Sequence, residues 1–509
     1  MSLQVQHRML WLLFAASLVL VVICWRQCNR TRRHGRHYGG QSTHEETAKS
    51  ASWQRRAVWF FLAFGGSATL LGVTNEMCRE IAVVPFLWIL PLTVYLFTFI
   101  YSFRKGFCAT IHQLCLSLAL GVLLGTAVLA AGNALVVWFQ VVLLSFVLLA
   151  VCFACHGLLA ITRPSPKGLT DFYLTIAAGG AGGGCFVALA APRLFSDYDE
   201  LPWVVAAVCV VAGFQLAGQG GWRDHPATRG ILAGLLLAAG GALTLVLSTV
   251  EPGTVEKRRN FYGTLQVIEN TNTAGKKLTL HHGRVLHGLQ YRDPEKGSWP
   301  TAYYGPSSGA GIELQSLPAN STVALLGLGV GTLAAYARQG DLYVFYEIDE
   351  DVVDIASKYF TYLRHCKGEI AIRLGDARLL MQRETSTGMR GRFEAIIVDV
   401  FTSGAIPVHM LTLEAAYLYR ENLKSNGKIL YHISNQALDL DPVVRGLANK
   451  LGMACTRVDS MGQPTRGTNG ATWMILSGEN GQGSKDSGRR RLLWTDNHSS
   501  LWQVLKWTR

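Results

Sequence analysis

Charged residues are scarce in this chain of 509, at 16%, against about 25% in ordinary soluble proteins. Half of all residues are apolar. The apolar excess is confined to residues 1–250, so two or three domains of unlike character are expected. Cysteine is scarce where a stapled or redox domain would need it. Of eleven, only Cys366 and Cys455 lie beyond the apolar half, so no disulfide framework or zinc spacing results. Cys152 and Cys155 form a C-x-x-C inside an apolar run, where packing explains them, and the pattern is compatible with a reducing compartment. Paired metal ligands are missing as well. His281, His282, His287 and His409 lack common helical spacing and a completing Cys or carboxylate, so structural or pocket-lining roles are favoured and no metal is expected. No stripe of basic and aromatic residues accompanies the net charge of +13, which excludes a nucleic-acid partner.

What is present is a series of apolar runs near 9–25, 57–74, 81–103, 110–131, 134–160, 171–191, 203–217 and 231–250. Crossing a bilayer takes about 20 residues, so a multi-pass domain of seven or eight helices is expected over 1–250. The first run reads as an anchor rather than a signal sequence, because its basic residues follow it and no small-residue cleavage site is evident. Short loops beside the runs hold much of the positive charge: Arg26–Arg56, Arg104 and Lys105, Arg163 and Lys167, Arg223 and Arg229. The intervening loops carry little beyond Arg79 and Arg193. The positive-inside rule puts the basic loops in the cytoplasm, and eight crossings would leave the rest of the chain outside. Lys257, Arg258 and Arg259, after the last run, argue for the inside. A cytosolic second half therefore requires one run not to span, 171–191 being the first suspect and 203–217 the second.

Composition changes at Glu251-Pro252-Gly253. Thr264–Glu269 and Lys277–Leu286 alternate as β-strands around an Asn-Thr-Ala-Gly turn. From Thr322 the pattern is strand then helix, with strands expected at Thr322–Gly327, Leu342–Ile348, Ile370–Leu374, Phe393–Val398 and Lys428–Ile433. This is the signature of an open, largely parallel sheet covered by helices. Cys455–Asp459 and Thr472–Leu476 are candidate last strands. A Gly-, Ser- and Arg-rich linker over 478–492 and a short amphipathic element, Leu493–Trp507, that docks back complete the chain.

The first strand runs into Gly327, Gly329 and Gly331, before helix-forming Thr332–Arg338. Glycines let a ligand approach the backbone. About 20 residues on, Glu347 ends the second strand, where a carboxylate accepts both ribose hydroxyls. Asp376, after the third strand, is placed to accept an adenine amino group. Helix capping is the plain alternative for both acids, but three features on successive strands favour a nucleoside site. The spacing G-x-G-x-G, rather than G-x-G-x-x-G, favours an adenosyl-sulfonium ligand over a pyrophosphate. At the end of the fourth strand Asp399 is placed as a base, taking a proton from an amine that attacks the carbon beside sulfur.

With Asp399 in that loop, the chain resembles the spermidine synthases, the aminopropyltransferase family, and is most similar to a bacterial branch with a membrane domain fused in front. The stretches Arg259–Gly263, His287–Gln290 and Tyr303–Pro306 carry the resemblance too, as do Pro85–Pro91 and Gly179–Gly184, more weakly, in the apolar half. It implies an α-helical polytopic membrane domain, a small β subdomain over 255–310, and a Rossmann-like, class I methyltransferase-type α/β domain over 311–480. By the same resemblance Glu347 holds the ribose, Asp376 the adenine, Asp399 accepts the proton, and Gln290 and Tyr304 line the donor and acceptor pocket. No permanent cofactor is implied. The co-substrate is decarboxylated S-adenosylmethionine or S-adenosylmethionine, the partners are a small amine and the lipid bilayer, and a homodimer is a candidate assembly in the inner membrane.

The chain departs from the polyamine-making pattern Asp-Ser-Ser-Asp, having Thr402, Ser403 and Gly404 after Asp399. Val330 stands where an acid would hold the donor's amino group, and Gly305 where an acid would follow the pocket tyrosine. A diamine needs more than one carboxylate to offset its desolvation, and Asp439 and Asp441 are candidate substitutes. Three functions are thus weighed: an aminopropyl transferase, a methyltransferase using the same cleft, and a ligand-binding transporter or sensor. Few charges inside the apolar runs support the last.

Overall fold

The computed structural model describes residues 52–80, 88–131, 137–218, 252–272, 275–283, 285–400, 407–435, 438–478 and 490–506, with Gly234 and Ala238. The apolar run near 9–25 and nearly all of 231–250 lie outside the described residues, as do Thr402, Ser403 and Gly404. Among the described residues the first unit contains the helices α1 (Trp53–Glu80), α2 (Ile89–Phe103), α3 (Ile111–Ala131), α4 (Val137–Ile161), α5 (Leu169–Cys185) and α6 (Glu200–Gly218). A π-helical turn, Phe186–Ala190, extends α5 to Leu194. Trp53–Met77, Phe139–Ile161 and Pro166–Leu194 are long and apolar enough to cross a membrane. The run over 171–191, the first suspect for not spanning, is thus one of three that qualify among the described residues; the second suspect falls among the shorter apolar helices, as Glu200–Gln215.

Small residues set the packing of this bundle. A Cβ at Gly179 would lie 2.4 Å from the Phe60 carbonyl oxygen, and one at Gly183 2.4 Å from that of Phe64. Four residues apart, the two glycines share a face of α5 and let its backbone touch that of α1. The glycine-rich run is therefore a contact surface. Trp59, Leu62, Leu148, Leu158 and Phe172 fill the interior beside it. Cys152 and Cys155 are buried in the same core, as free thiols.

The second unit opens with a four-stranded antiparallel meander, β1 (Thr254–Asn260), β2 (Gly263–Asn272), β3 (Gly275–His282) and β4 (Val285–Tyr291). The expected strand Lys277–Leu286 is two strands. Gly283, at φ 59°, reverses the chain in a region that glycine enters freely. Leu265, Val267, Leu278 and Leu280 point inward from β2 and β3, as their alternation requires. β1 pairs with β2 although its Glu-Lys-Arg-Arg sequence shows no apolar alternation.

Seven strands make the main sheet: β5 (Thr322–Leu326), β6 (Leu342–Glu347), β7 (Glu369–Leu374), β8 (Phe393–Val398), β9 (Leu423–His432), β10 (Ala454–Ser460) and β11 (Ala471–Ser477). Their order is β10-β11-β9-β8-β5-β6-β7, and only β11 runs against its neighbours. The chain steps outward from β5 to β7, then returns to the other side of β5 as β8. Beyond the carboxyl ends of β5 and β8 lies the crevice where open α/β sheets bind ligands. Covering helices are α7 (Gly309–Ser316), α8 (Glu350–Tyr359), α9 (Ala377–Ser386), α10 (Leu413–Asn422) and α11 (Asp441–Leu451). No α-helix follows β5. The expected helix Thr332–Arg338 is a 3-10 turn, Thr332–Tyr336, held by the Tyr336 hydroxyl donating to the Tyr304 carbonyl at 2.6 Å and by Asp341 binding Arg338.

The C-terminal segment docks back, though as extended chain and turn. Trp494 and Val504 are buried in the main core, and Arg378 meets both Asp496 oxygens at 2.8 and 2.6 Å. A second set of ion pairs ties the two units together. Buried Arg259 of β1 donates to both oxygens of buried Glu200 at the start of α6, at 2.7 and 3.0 Å. Lys257 pairs with Asp197, and the Arg259 guanidinium lies 4.1 Å over the Tyr198 ring.

The close approach of α1 and α5 makes a graded test. Gly183→Leu should lower the unfolding temperature of the detergent-solubilised chain, since overpacking costs about 1–3 kcal/mol. Gly180→Leu, with nothing within 4 Å of its Cβ, should leave it nearly unchanged; equal effects would contradict the packing.

Candidate active site

A cavity of about 220 Å³ opens at the crevice, with Gly327, Glu347, Asp376 and Asp399 at successive strand ends around it. Gly327 takes φ 98°, and a Cβ there would lie 2.2 Å from the Asp399 carbonyl oxygen. The Asp399 amide donates to Leu326 at 3.0 Å, so β5 and β8 hold the catalytic candidate by backbone alone. Gly329 also lines the cavity and presses on His287 of β4. Gly331 is not among the lining residues; at φ 79° it precedes the 3-10 turn.

Glu347 is buried and nearly saturated. It accepts from the backbone N–H of Leu328 at 2.9 Å, Ile348 at 2.8 Å and Asp349 at 3.0 Å. A carboxylate has about four acceptor sites, so one remains toward the cavity. That is one acceptor site fewer than the two ribose hydroxyls expected of it would need. Burial pushes its carboxyl up despite those bonds. Capping of α8 falls to its neighbour Asp349, which accepts from Asp351. Asp376 does cap α9, through Leu379 at 2.9 Å. Its second oxygen faces His409 Nε2 at 3.1 Å, and both residues line the cavity. The histidine beside it holds the Asp376 carboxyl below its usual range.

Asp399 is enclosed by aromatic and imidazole groups. Tyr304 donates its hydroxyl to Oδ2, and His432 Nδ1 lies 2.9 Å from Oδ1. The other His432 nitrogen meets Ser434 Oγ at 2.8 Å, which itself accepts from the Thr472 N–H at 2.8 Å. That leaves the serine hydroxyl hydrogen for Nε2 and a proton on Nδ1 facing Asp399. The imidazole is stacked between Tyr303 and Trp473, with ring centres 4.6 and 4.7 Å away. Burial alone would raise the Asp399 carboxyl, but His432 and the hydrogen bonds from His432 and Tyr304 outweigh it and hold it low. Nearby His287 is pushed down to about 3 by burial and by His282, so it stays neutral in the cavity wall.

Gln290 is not among the lining residues. Its amide is spent on Gly297 at 2.7 Å and on the hydroxyl and N–H of Thr361, both at 2.9 Å, which fastens β4 to the stretch after α8. Asp441 is likewise engaged, by Arg445 and Arg457, and neither it nor Asp439 lines the cavity. Val330 is buried against Gly288. The sequence reading missed His432, Ser434, Tyr303 and Trp473. His432 carried a usable signal: a titratable residue near the carboxyl end of the expected strand Lys428–Ile433, beside the strand bearing Asp399.

The depressed Asp399 carboxyl adds stability above the ordinary carboxylate range, lost as pH falls through its folded value. His432→Phe keeps a flat ring in the stack but removes the partner. The variant should lose less stability than the parent between about pH 5 and about pH 2, followed by urea unfolding with Trp fluorescence; an equal loss would contradict this role for His432.

No protein-family model matches the chain. It is 24% identical over 182 residues to a polyamine aminopropyltransferase of Vibrio vulnificus, covering 35% of this chain and 58% of that relative. The chain thus matches less than two thirds of the relative's length. Among solved structures it is similar to spermidine synthase from Thermotoga maritima, at 13% identity and TM-score 0.30 over 48% of this chain and 81% of the other. It is also similar to a probable spermidine synthase from Corynebacterium glutamicum, at 16% and 0.33 over 47% and 84%. Scores this low add nothing to the match in sequence. Over those 182 residues the chain is polyamine aminopropyltransferase-like.

Proposed function

We propose that the chain is a membrane-anchored transferase that moves an aminopropyl group from decarboxylated S-adenosylmethionine to an amine. The observation that carries the reading is the charge of the cavity. Among the described residues its lining includes four carboxylates, Glu347, Asp349, Asp376 and Asp399, and no lysine or arginine. Such a wall favours a cationic ligand, and both a sulfonium and an amine are cations. The absence of an α-helix after the glycine loop fits as well, because a pyrophosphate is usually held at a helix N-terminus.

In this reading Asp376 and Glu347 hold the adenosine, and Asp399 aligns the acceptor amine with the carbon beside sulfur. The amine nitrogen forms the new C–N bond as the C–S bond breaks, and the sulfur keeps the electron pair, leaving methylthioadenosine. The proton released by nitrogen goes to the Asp399 carboxylate, which His432 Nδ1–H and the Tyr304 hydroxyl hold in place. Tyr304 stays protonated, since burial beside Asp399 raises its phenol well above the usual range.

Purified full-length chain, incubated with decarboxylated S-adenosylmethionine and a panel of mono- and diamines, should release methylthioadenosine. Asp399→Asn should slow release by about 10²–10⁴-fold; no release with any amine would overturn the reading. Val330 favours one competitor. With no acid in the glycine loop, nothing there repels the carboxylate of S-adenosylmethionine, as a methyltransferase requires. Calorimetry should show tighter binding of the decarboxylated donor, and preference for the carboxylated one would select methyl transfer instead.

A further inference from the structure

The two ends of the helical bundle differ in charge, and the sheet domain sits at one of them. Arg56 at the start of α1 reaches Asp171 at the start of α5 at 2.9 Å, so these starts share one end. Toward its other end α1 packs against the start of α6, where a Cβ on Gly72 would lie 3.1 Å from Leu201. Helices α2 to α5 alternate between the two ends. Phe107, after α2, packs on Phe153 late in α4, and Gly157 abuts Leu114 early in α3. Exposed Arg104, Lys105, Arg163 and Lys167 therefore lie at the Arg56 end. The sheet domain lies at the opposite end, fixed there by Arg259 on Glu200 and Lys257 on Asp197.

We infer that the sheet domain stands on the non-cytoplasmic side of the membrane, because the basic short loops crowd the bundle end away from it. This reverses the cytosolic placement for which Lys257, Arg258 and Arg259 argued, and rests on the membrane-anchored part of the proposed function. Orientation follows Lys and Arg in short loops, whereas long domains cross largely regardless of charge. At the sheet-domain end the short loops offer little beyond Arg79 and Arg193. The cations that argued for the inside are otherwise engaged: Lys257 and Arg259 as above, and Arg258 with Asp351 at 3.0 Å and Asp354 at 2.6 Å. The remedy of a non-spanning 171–191 run is also unsupported, since Pro166–Leu194 is long and apolar enough to cross. The chemistry then has an order. A sulfonium donor made inside the cell must be carried across the membrane before it meets Asp399, so a transport step precedes transfer.

Paired reporters on the full chain test this in a bacterial host. Alkaline phosphatase, active only outside the cytoplasm, and a green fluorescent protein that matures only inside it, are fused after the C-terminus or inserted after Gly106, an exposed turn with nothing near its Cβ. The expected result is active phosphatase and no fluorescence at the C-terminus, with the reverse after Gly106. A fluorescent C-terminus with silent phosphatase, in chains that stay in the membrane pellet after alkaline carbonate, would overturn the sidedness alone. Release by carbonate would overturn it together with the membrane-anchored reading. Neither outcome touches the methylthioadenosine assay, which uses purified chain.

Discussion

The contact between Gly327 and the backbone of Asp399 is the constraint on which the site depends. The Asp399 carbonyl occupies the space a side chain at position 327 would need, so β5 and β8 close on each other where the chain reverses its direction of travel across the sheet. Everything chemical is then referred to that point. Glu347 binds the loop that leaves Gly327, and β9 brings His432 up beside β8. A larger residue at 327 would displace the carboxylate rather than merely destabilise a turn.

Much of this was readable in order along the chain. Each parallel strand announced itself as a short apolar run, and the acids at strand ends followed from where open α/β sheets bind ligands. The failures have physical causes. β1 is rich in charge because it faces Asp197, Glu200, Asp351 and Asp354, partners far away in sequence. The 3-10 turn after Gly331 takes the place of a helix because Tyr336 and Asp341 anchor the chain early. Propensity has no view of either.

The site residues divide along the same line. Asp399, Glu347 and Asp376 were visible from position alone, yet what each does depends on neighbours that spacing does not reveal. Glu347 spends most of its acceptors on its own loop, Asp376 serves a helix and a ligand wall together, and Gln290 is a structural fastener. Asp441 is claimed by two arginines. The acids available to a site are thus fewer than the acids near it in sequence.

The docked C-terminal segment bears on how the protein is made. Trp494 and Val504 belong to the same buried cluster as Ile396 and Val398 of β8, and Arg378, two residues after Asp376, is clamped by Asp496. A chain emerges from the ribosome at about 5–20 residues per second. The wall carrying Asp376 therefore stays unfinished until nearly the whole domain has been synthesised, long after the bundle has left the ribosome. During that interval the half-built sheet is a client for whatever factors guard nascent chains.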